Sequence, residues 1–65
     1  MITNQTRQKW DRMIQAIWDS ASYDETFELS QWETEFLDGV SLRRSADRDL
    51  TFKQAQVLRN IYSKL

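Results

Sequence analysis

The sequence of 65 residues predicts a small all-α protein folded as a three-helix bundle. Apolar residues recur at helical spacing in three segments, and two of these segments begin with a capping box. No segment shows the alternation of apolar and polar residues that is typical of strands. A single amphipathic helix cannot bury its own apolar side, so the three helices must pack against one another. We expect a single helical domain over residues 1–65, because a chain of this length supports only one core.

The first helix is predicted over about residues 4–20, with Thr3 or Asn4 as its N-cap. Its apolar side follows the i, i+3, i+4, i+7 pattern. That side consists of Trp10, Met13, Ile14, Ile17, Trp18 and Ala21. The size of the tryptophan side chains indicates that they form the centre of the core.

The second helix is predicted over about residues 31–43, after the S-x-x-E capping box from Ser30 to Glu33. Its apolar side contains Trp32, Phe36, Leu37 and Val40. Gly39 lies inside this helix at a cost of about 1 kcal/mol relative to alanine, which indicates close packing or an early helix end.

The third helix is predicted over about residues 52–64, after the T-x-x-Q capping box from Thr51 to Gln54. Its apolar side contains Val57, Leu58, Ile61, Tyr62 and Leu65. Two connections therefore join the helices, over about residues 20–29 and 44–50. The second connection is longer than the 3–4-residue turn of a helix-turn-helix unit, which argues against that DNA-reading motif.

The composition excludes several kinds of chemistry. Without cysteine or histidine, the chain has no thiol nucleophile, histidine-based triad, zinc site or disulfide. One glycine cannot build a phosphate-binding loop. Asp24, Glu25 and Glu28 do not have the spacing of a calcium-binding EF-hand. We therefore expect a non-enzymatic protein without a metal or cofactor.

No apolar run approaches the roughly 18 residues that span a bilayer. Charged residues interrupt residues 1–20, so this segment does not resemble a signal peptide. We therefore expect a cytoplasmic protein that does not bind membranes.

Charge is strongly segregated along the chain, although the formal net charge is only −1. Residues 19–38 contain seven acidic residues and no basic residue. Residues 39–65 contain six basic residues and two acidic ones. The acidic block has two interpretations. Its carboxylates either stabilise the N-termini of helices and lie against the basic third segment, or they form a surface that binds a basic partner.

The partner-binding interpretation assigns the site to an acidic face. Glu35 and Asp38 are expected on the outward side of the second helix, where like charges three residues apart repel each other. The complete set of predicted partner-binding residues is Asp24, Glu25, Glu28, Glu35, Asp38, Tyr23 and Phe27. The two aromatic residues either anchor a partner or attach the loop to the core. The expected partner is a host protein with a basic surface.

The alternative interpretation is a nucleic-acid-binding accessory module, because a phosphate-binding surface needs several cations on one face. Its candidate residues are Arg43, Arg44, Arg48, Lys53, Arg59 and Phe52. Phe52 lies beside Arg59 on the helical wheel, where it either stacks on a base or covers the end of the bundle. A homodimeric regulator is a third possibility, because a small core gains stability from a partner.

Residues 30–37, followed by residues 49–62, resemble a short helical module of small phage and mobile-element proteins. The shared pattern is W-E-x-x-F-L, a basic connector, then L-T-x-K-Q-x-x-x-L-x-x-I. The resemblance covers about half of the chain and implies a phage or mobile-element origin. Because acidic phage proteins of this size are often inhibitors of host machinery, the resemblance implies an inhibitor, such as an anti-CRISPR protein, acting in the host cytoplasm.

Overall fold

The computed structural model describes residues 2–65 and contains three helices in this part of the chain. They are α1 (Asn4–Tyr23), α2 (Gln31–Ser45) and α3 (Phe52–Tyr62). The predicted all-α three-helix architecture is confirmed, with no strand among these residues. Helices α1 and α2 end later than predicted, and α3 ends two residues earlier than predicted.

Hydrogen bonds confirm both predicted capping boxes. The Glu33 backbone N–H donates to Ser30 Oγ at 3.1 Å, and the Ser30 N–H donates to Glu33 Oε1 at 3.0 Å. Thr51 and Gln54 make the same reciprocal pair at the start of α3, at 3.1 and 3.0 Å. Thr3 is the N-cap of α1. Local side-chain chemistry therefore determines where all three helices begin.

Helix α2 ends in a Schellman motif. The Arg48 N–H donates to the Arg43 carbonyl oxygen, and the Asp47 N–H donates to the Arg44 carbonyl oxygen, each at 3.0 Å. Asp47 occupies the left-handed region with φ 58°, where glycine is more usual. Aspartate tolerates this backbone conformation better than most residues. The motif turns the chain sharply into the connector that leads to α3.

The core lies where the three helices meet. Its buried residues are Trp10, Met13, Ile14, Ile17, Leu37, Val40, Leu50, Leu58 and Ile61. Helix α2 runs antiparallel to its neighbours, because Glu33 near its start pairs with Lys64, just after α3. Arg44 near the end of α2 pairs with Asp11 in the first half of α1.

Several packing predictions are wrong. Tyr62 and Leu65, assigned to the apolar side of the third helix, are 43% and 50% exposed, and Ala21 of the first helix is exposed as well. Trp32 is 60% exposed and stacks on Phe36 outside the core, so the bundle is not centred on all three tryptophans. Trp10 is buried, and the half-buried Trp18 donates from Nε1 to Ser41 Oγ at 3.0 Å. Gly39 neither packs closely nor ends the helix, because a Cβ added there would meet no atom within 4 Å.

Candidate functional site

The predicted acidic residues lie on the exposed loop after α1 and on the outward side of α2, and they are here together called the acidic surface. It comprises Asp24, Glu25 and Glu28 of the loop together with Glu35 and Asp38 of α2, all of them exposed. Glu35 and Asp38 lie on the side of α2 opposite the buried Leu37 and Val40.

Almost none of this charge is neutralised within the fold. Among the seven acidic residues of segment 19–38, only Glu33 pairs with a cation, Lys64, among residues 2–65. Hydrogen bonds from Lys64 and from the Ser30 backbone lower the pKa of Glu33. The acidic block as a whole therefore does not lie against the basic third segment.

The loop that carries part of the acidic surface is locally ordered. Asp24 Oδ1 accepts hydrogen bonds from the Thr26 N–H at 2.9 Å and the Thr26 hydroxyl at 2.7 Å. These bonds stabilise the ionised carboxylate and lower the pKa of Asp24. Phe27 is half-buried and packs against the core, so it attaches the loop to the bundle. Tyr23 is 85% exposed at the end of α1 and remains available to a partner.

Two exposed apolar side chains lie on α2 beside these carboxylates, and sequence reasoning missed both. Leu42 is 65% exposed and follows Glu35 and Asp38 by seven and four residues, so all three share one side of the helix. Trp32 precedes Glu35 by three residues, and its ring lies 5.6 Å from that of Phe36 at an interplanar angle of 10°. The i, i+3, i+7 spacing of Glu35, Asp38 and Leu42 could have shown from the sequence that Leu42 shares the outward side of α2 with the two carboxylates.

The basic residues of the alternative, nucleic-acid-binding set fall into two groups in the structure: two hold the connector, and the others are exposed. Arg44 is 9% exposed in its side chain, bonds Asp11 at 2.9 and 3.4 Å, and donates to the Arg48 carbonyl oxygen at 2.8 Å. Arg43 Nε donates to the Asp49 carbonyl oxygen at 2.6 Å. Both arginines therefore hold the connector in place.

The remaining members of the alternative set do not form one cluster. Arg48, Lys53 and Arg59 are exposed, and Phe52 is 80% exposed, so Phe52 does not cover the end of the bundle. Lys53 and Arg59 lie on different sides of α3, because six residues correspond to more than one and a half turns. Arg59 lines a groove between α1 and α3.

A shallow groove between α1 and α3, here called the α1–α3 groove, lies on the opposite side of the bundle from the outward side of α2. Its lining residues are Thr6, Lys9, Trp10, Met13, Ala55 and Arg59. No carboxylate is among them. The outward side of α2, which carries Glu35 and Asp38, therefore faces away from this groove.

Among residues 2–65, no group of three or more acidic side chains is arranged to hold a metal ion. Within the same residues, no helix combines the length and the apolar character needed to cross a bilayer. Comparison with protein-family models, with curated proteins and with solved structures finds no match for this chain.

Proposed function

We propose that this chain is a small binding protein that docks its acidic surface on a basic surface of a partner protein. The proposal rests on the lack of internal neutralisation. Of the seven carboxylates in segment 19–38, only that of Glu33 pairs with a cation among the described residues. Exposed carboxylates on one face produce a negative potential that steers a basic partner and selects against acidic ones.

Exposed apolar side chains give this surface a source of affinity besides charge. Leu42 lies among the carboxylates of α2, and Trp32 and Tyr23 lie near the loop. Binding energy at protein interfaces is concentrated in a few apolar or aromatic anchors that are surrounded by polar residues. The acidic surface has this composition.

The surface is also preorganised. Glu35, Asp38 and Leu42 project from a helix whose start is capped and whose opposite side is buried. Phe27 attaches the loop, and Asp24 orders its first turn. A partner therefore loses little affinity to the ordering of this chain.

A protein that handles nucleic acid is the partner class that fits best, because its binding groove presents many arginines and lysines. The exposed carboxylates would occupy such a groove in place of phosphates. The role of an inhibitor of host machinery in the host cytoplasm rests on the resemblance to phage modules. In the competing proposal, the same exposed side chains form the interface of a homodimer.

Capture experiments with charge-reversed variants test this proposal. The immobilised chain is incubated with an extract of the host cell, and retained proteins are quantified by mass spectrometry. We expect Glu35→Lys/Asp38→Lys to lose at least one basic protein that the wild type retains. Circular dichroism verifies that the variant remains folded.

Asp38→Lys and Asp19→Lys form a matched pair. Both replace an exposed aspartate and change the net charge by the same amount, but Asp19 lies on α1. Retention by Asp19→Lys and loss by Asp38→Lys support the acidic surface. Equal retention by all variants, or equal loss by both single variants, contradicts it.

A further inference from the structure

The α1–α3 groove carries unpaired positive charge. Lys9 and Arg59 form its two sides, and Arg12 lies one turn further along α1 on the exposed surface. None of these three cations makes an ion pair with another described residue. Helix α3 contains no acidic residue at all. This face therefore attracts anions.

Exposed aromatic rings lie at both ends of the same side of α3. Phe52, Ala55, Arg59 and Tyr62 follow one another at i, i+3, i+7 and i+10, a spacing that keeps them on one side of a helix. Phe52 and Tyr62 are both exposed and are separated by about 15 Å along the helix axis. Arg59 lies between them. One cation therefore lies between two exposed rings on this side of α3.

The groove is small. Its volume of about 280 Å³ is at the lower end of the roughly 300–1,000 Å³ of small-molecule pockets. Trp10 and Met13 line it and are buried. The exposed rings of Phe52 and Tyr62 lie outside this lining, on the side of α3 that carries Arg59.

We propose that the α1–α3 groove binds single-stranded nucleic acid. Lys9, Arg12 and Arg59 contact phosphates, while Phe52 and Tyr62 stack on unpaired bases. Single strands are bound by this combination of a cationic groove and aromatic platforms, and the stacking tolerates any sequence. In a duplex the faces of the bases are already stacked on one another and are not available to Phe52.

This inference does not depend on the proposed function, because α1 and α3 form the groove whereas Glu35 and Asp38 project from α2. A protein with both surfaces contacts a nucleic-acid-binding partner through α2 and a single strand through α1 and α3. Loss of one activity leaves the other intact.

Fluorescence anisotropy with a labelled 20-nucleotide oligothymidylate tests the inference. We expect binding at 50 mM salt, with a slope of log K against log salt of about −2, because three cations each contribute about −0.7 for a single strand. Phe52→Ala should weaken binding roughly tenfold, the effect of losing one stacked base. Arg59→Glu should weaken binding and make the salt slope shallower. The change affects an exposed side chain, so the fold is retained.

Arg48→Glu is the matched control, because it makes the same charge change at an exposed connector residue outside the groove. It should leave the affinity within about twofold. No binding at 50 mM salt overturns the inference, and so does an Arg48→Glu effect equal to that of Arg59→Glu. Equal affinity for a duplex of the same length overturns the stacking role. Light scattering tests whether a second copy of the chain occupies the groove instead. This would be shown by salt-sensitive self-association that Asp38→Lys abolishes and that Arg59→Glu also abolishes.

Discussion

Asp49 of the connector accepts two hydrogen bonds from Arg7, which lies 42 residues earlier in the chain, at 2.7 and 3.2 Å. Arg44 approaches the same carboxylate at 3.9 Å, and Arg43 donates to the Asp49 carbonyl oxygen. One residue therefore joins the start of α1, the end of α2 and the connector. Two arginines that sequence reasoning assigned to nucleic acid are held in this network.

Asp49→Asn should lower the free energy of unfolding at pH 7, because it removes a bidentate ion pair with Arg7. The loss should be small, because both side chains are about a third exposed and solvent screens the pair. Urea denaturation followed by circular dichroism measures the change. Asp38→Asn is the control, since Asp38 makes no ion pair among the described residues. A loss as large for Asp38→Asn as for Asp49→Asn would contradict the structural role of Asp49.

Acid should remove the contribution of Asp49. The side-chain hydrogen bond from Arg7 lowers the pKa of Asp49 in the folded state, and hydrogen bonds also lower the pKa values of Asp24 and Glu33. In the pH range of these pKa values the unfolded state therefore binds more protons than the folded state. The stabilisation is present above the pKa of the unfolded state, and it is lost as the pH falls through the pKa of the folded state. The wild type should therefore exceed Asp49→Asn in stability at pH 7, and the difference should shrink as the pH falls through the lowered pKa of Asp49. A difference that persists or grows in acid would contradict this assignment. Urea titrations at a series of pH values provide the measurement.

Gly39→Ala should raise the free energy of unfolding by about 0.5–1 kcal/mol. The added methyl group enters open space, and alanine removes the entropic cost of glycine in a helix interior. Urea denaturation with an unchanged m-value would identify the effect as a gain in stability. A lower free energy of unfolding would mean that this exposed side of α2 is packed against something.

Leu37 and Leu42 provide a matched pair on one helix. Leu37 is fully buried and Leu42 is 65% exposed. Leu37→Ala should cost about 2–5 kcal/mol, enough to unfold much of a small domain, while Leu42→Ala should change stability by less than about 0.5 kcal/mol. Thermal denaturation distinguishes the two. A large loss of stability in Leu42→Ala would show that its side chain packs within the fold and is not an anchor for a partner.

Local signals predicted the fold well. The capping boxes at Ser30 and Thr51 depend on residues three positions apart, and the structure confirms both. Trp32 misled the prediction of the core, because a large apolar side chain at the start of a helix was assigned to the buried side. Its position on the helical wheel is about 80° from that of Val40, and the ring stacks on Phe36 instead.

The candidate site could be predicted only in part, because the contacts that decide which charges are neutralised join residues far apart in the sequence. The exposure of Glu35 and Asp38 followed from helical spacing. The pairing of Glu33 with Lys64, of Arg44 with Asp11 and of Arg7 with Asp49 joins residues 31 to 42 positions apart. Only the packed bundle shows which charges are neutralised. The α1–α3 groove went unnoticed for the same reason, because its sides come from the first and third helices.

Carboxyl footprinting tests the central claim most directly. A carbodiimide and an amine label the exposed carboxylates of the free chain and of the chain bound to its captured partner, and mass spectrometry reads each site. Asp19 and Asp47 are the internal controls, being exposed outside the acidic surface. The account predicts that binding reduces labelling at the acidic surface while both controls keep theirs. The affected residues would be Asp24, Glu25, Glu28, Glu35 and Asp38. Unchanged labelling at all five residues in the complex would contradict the account.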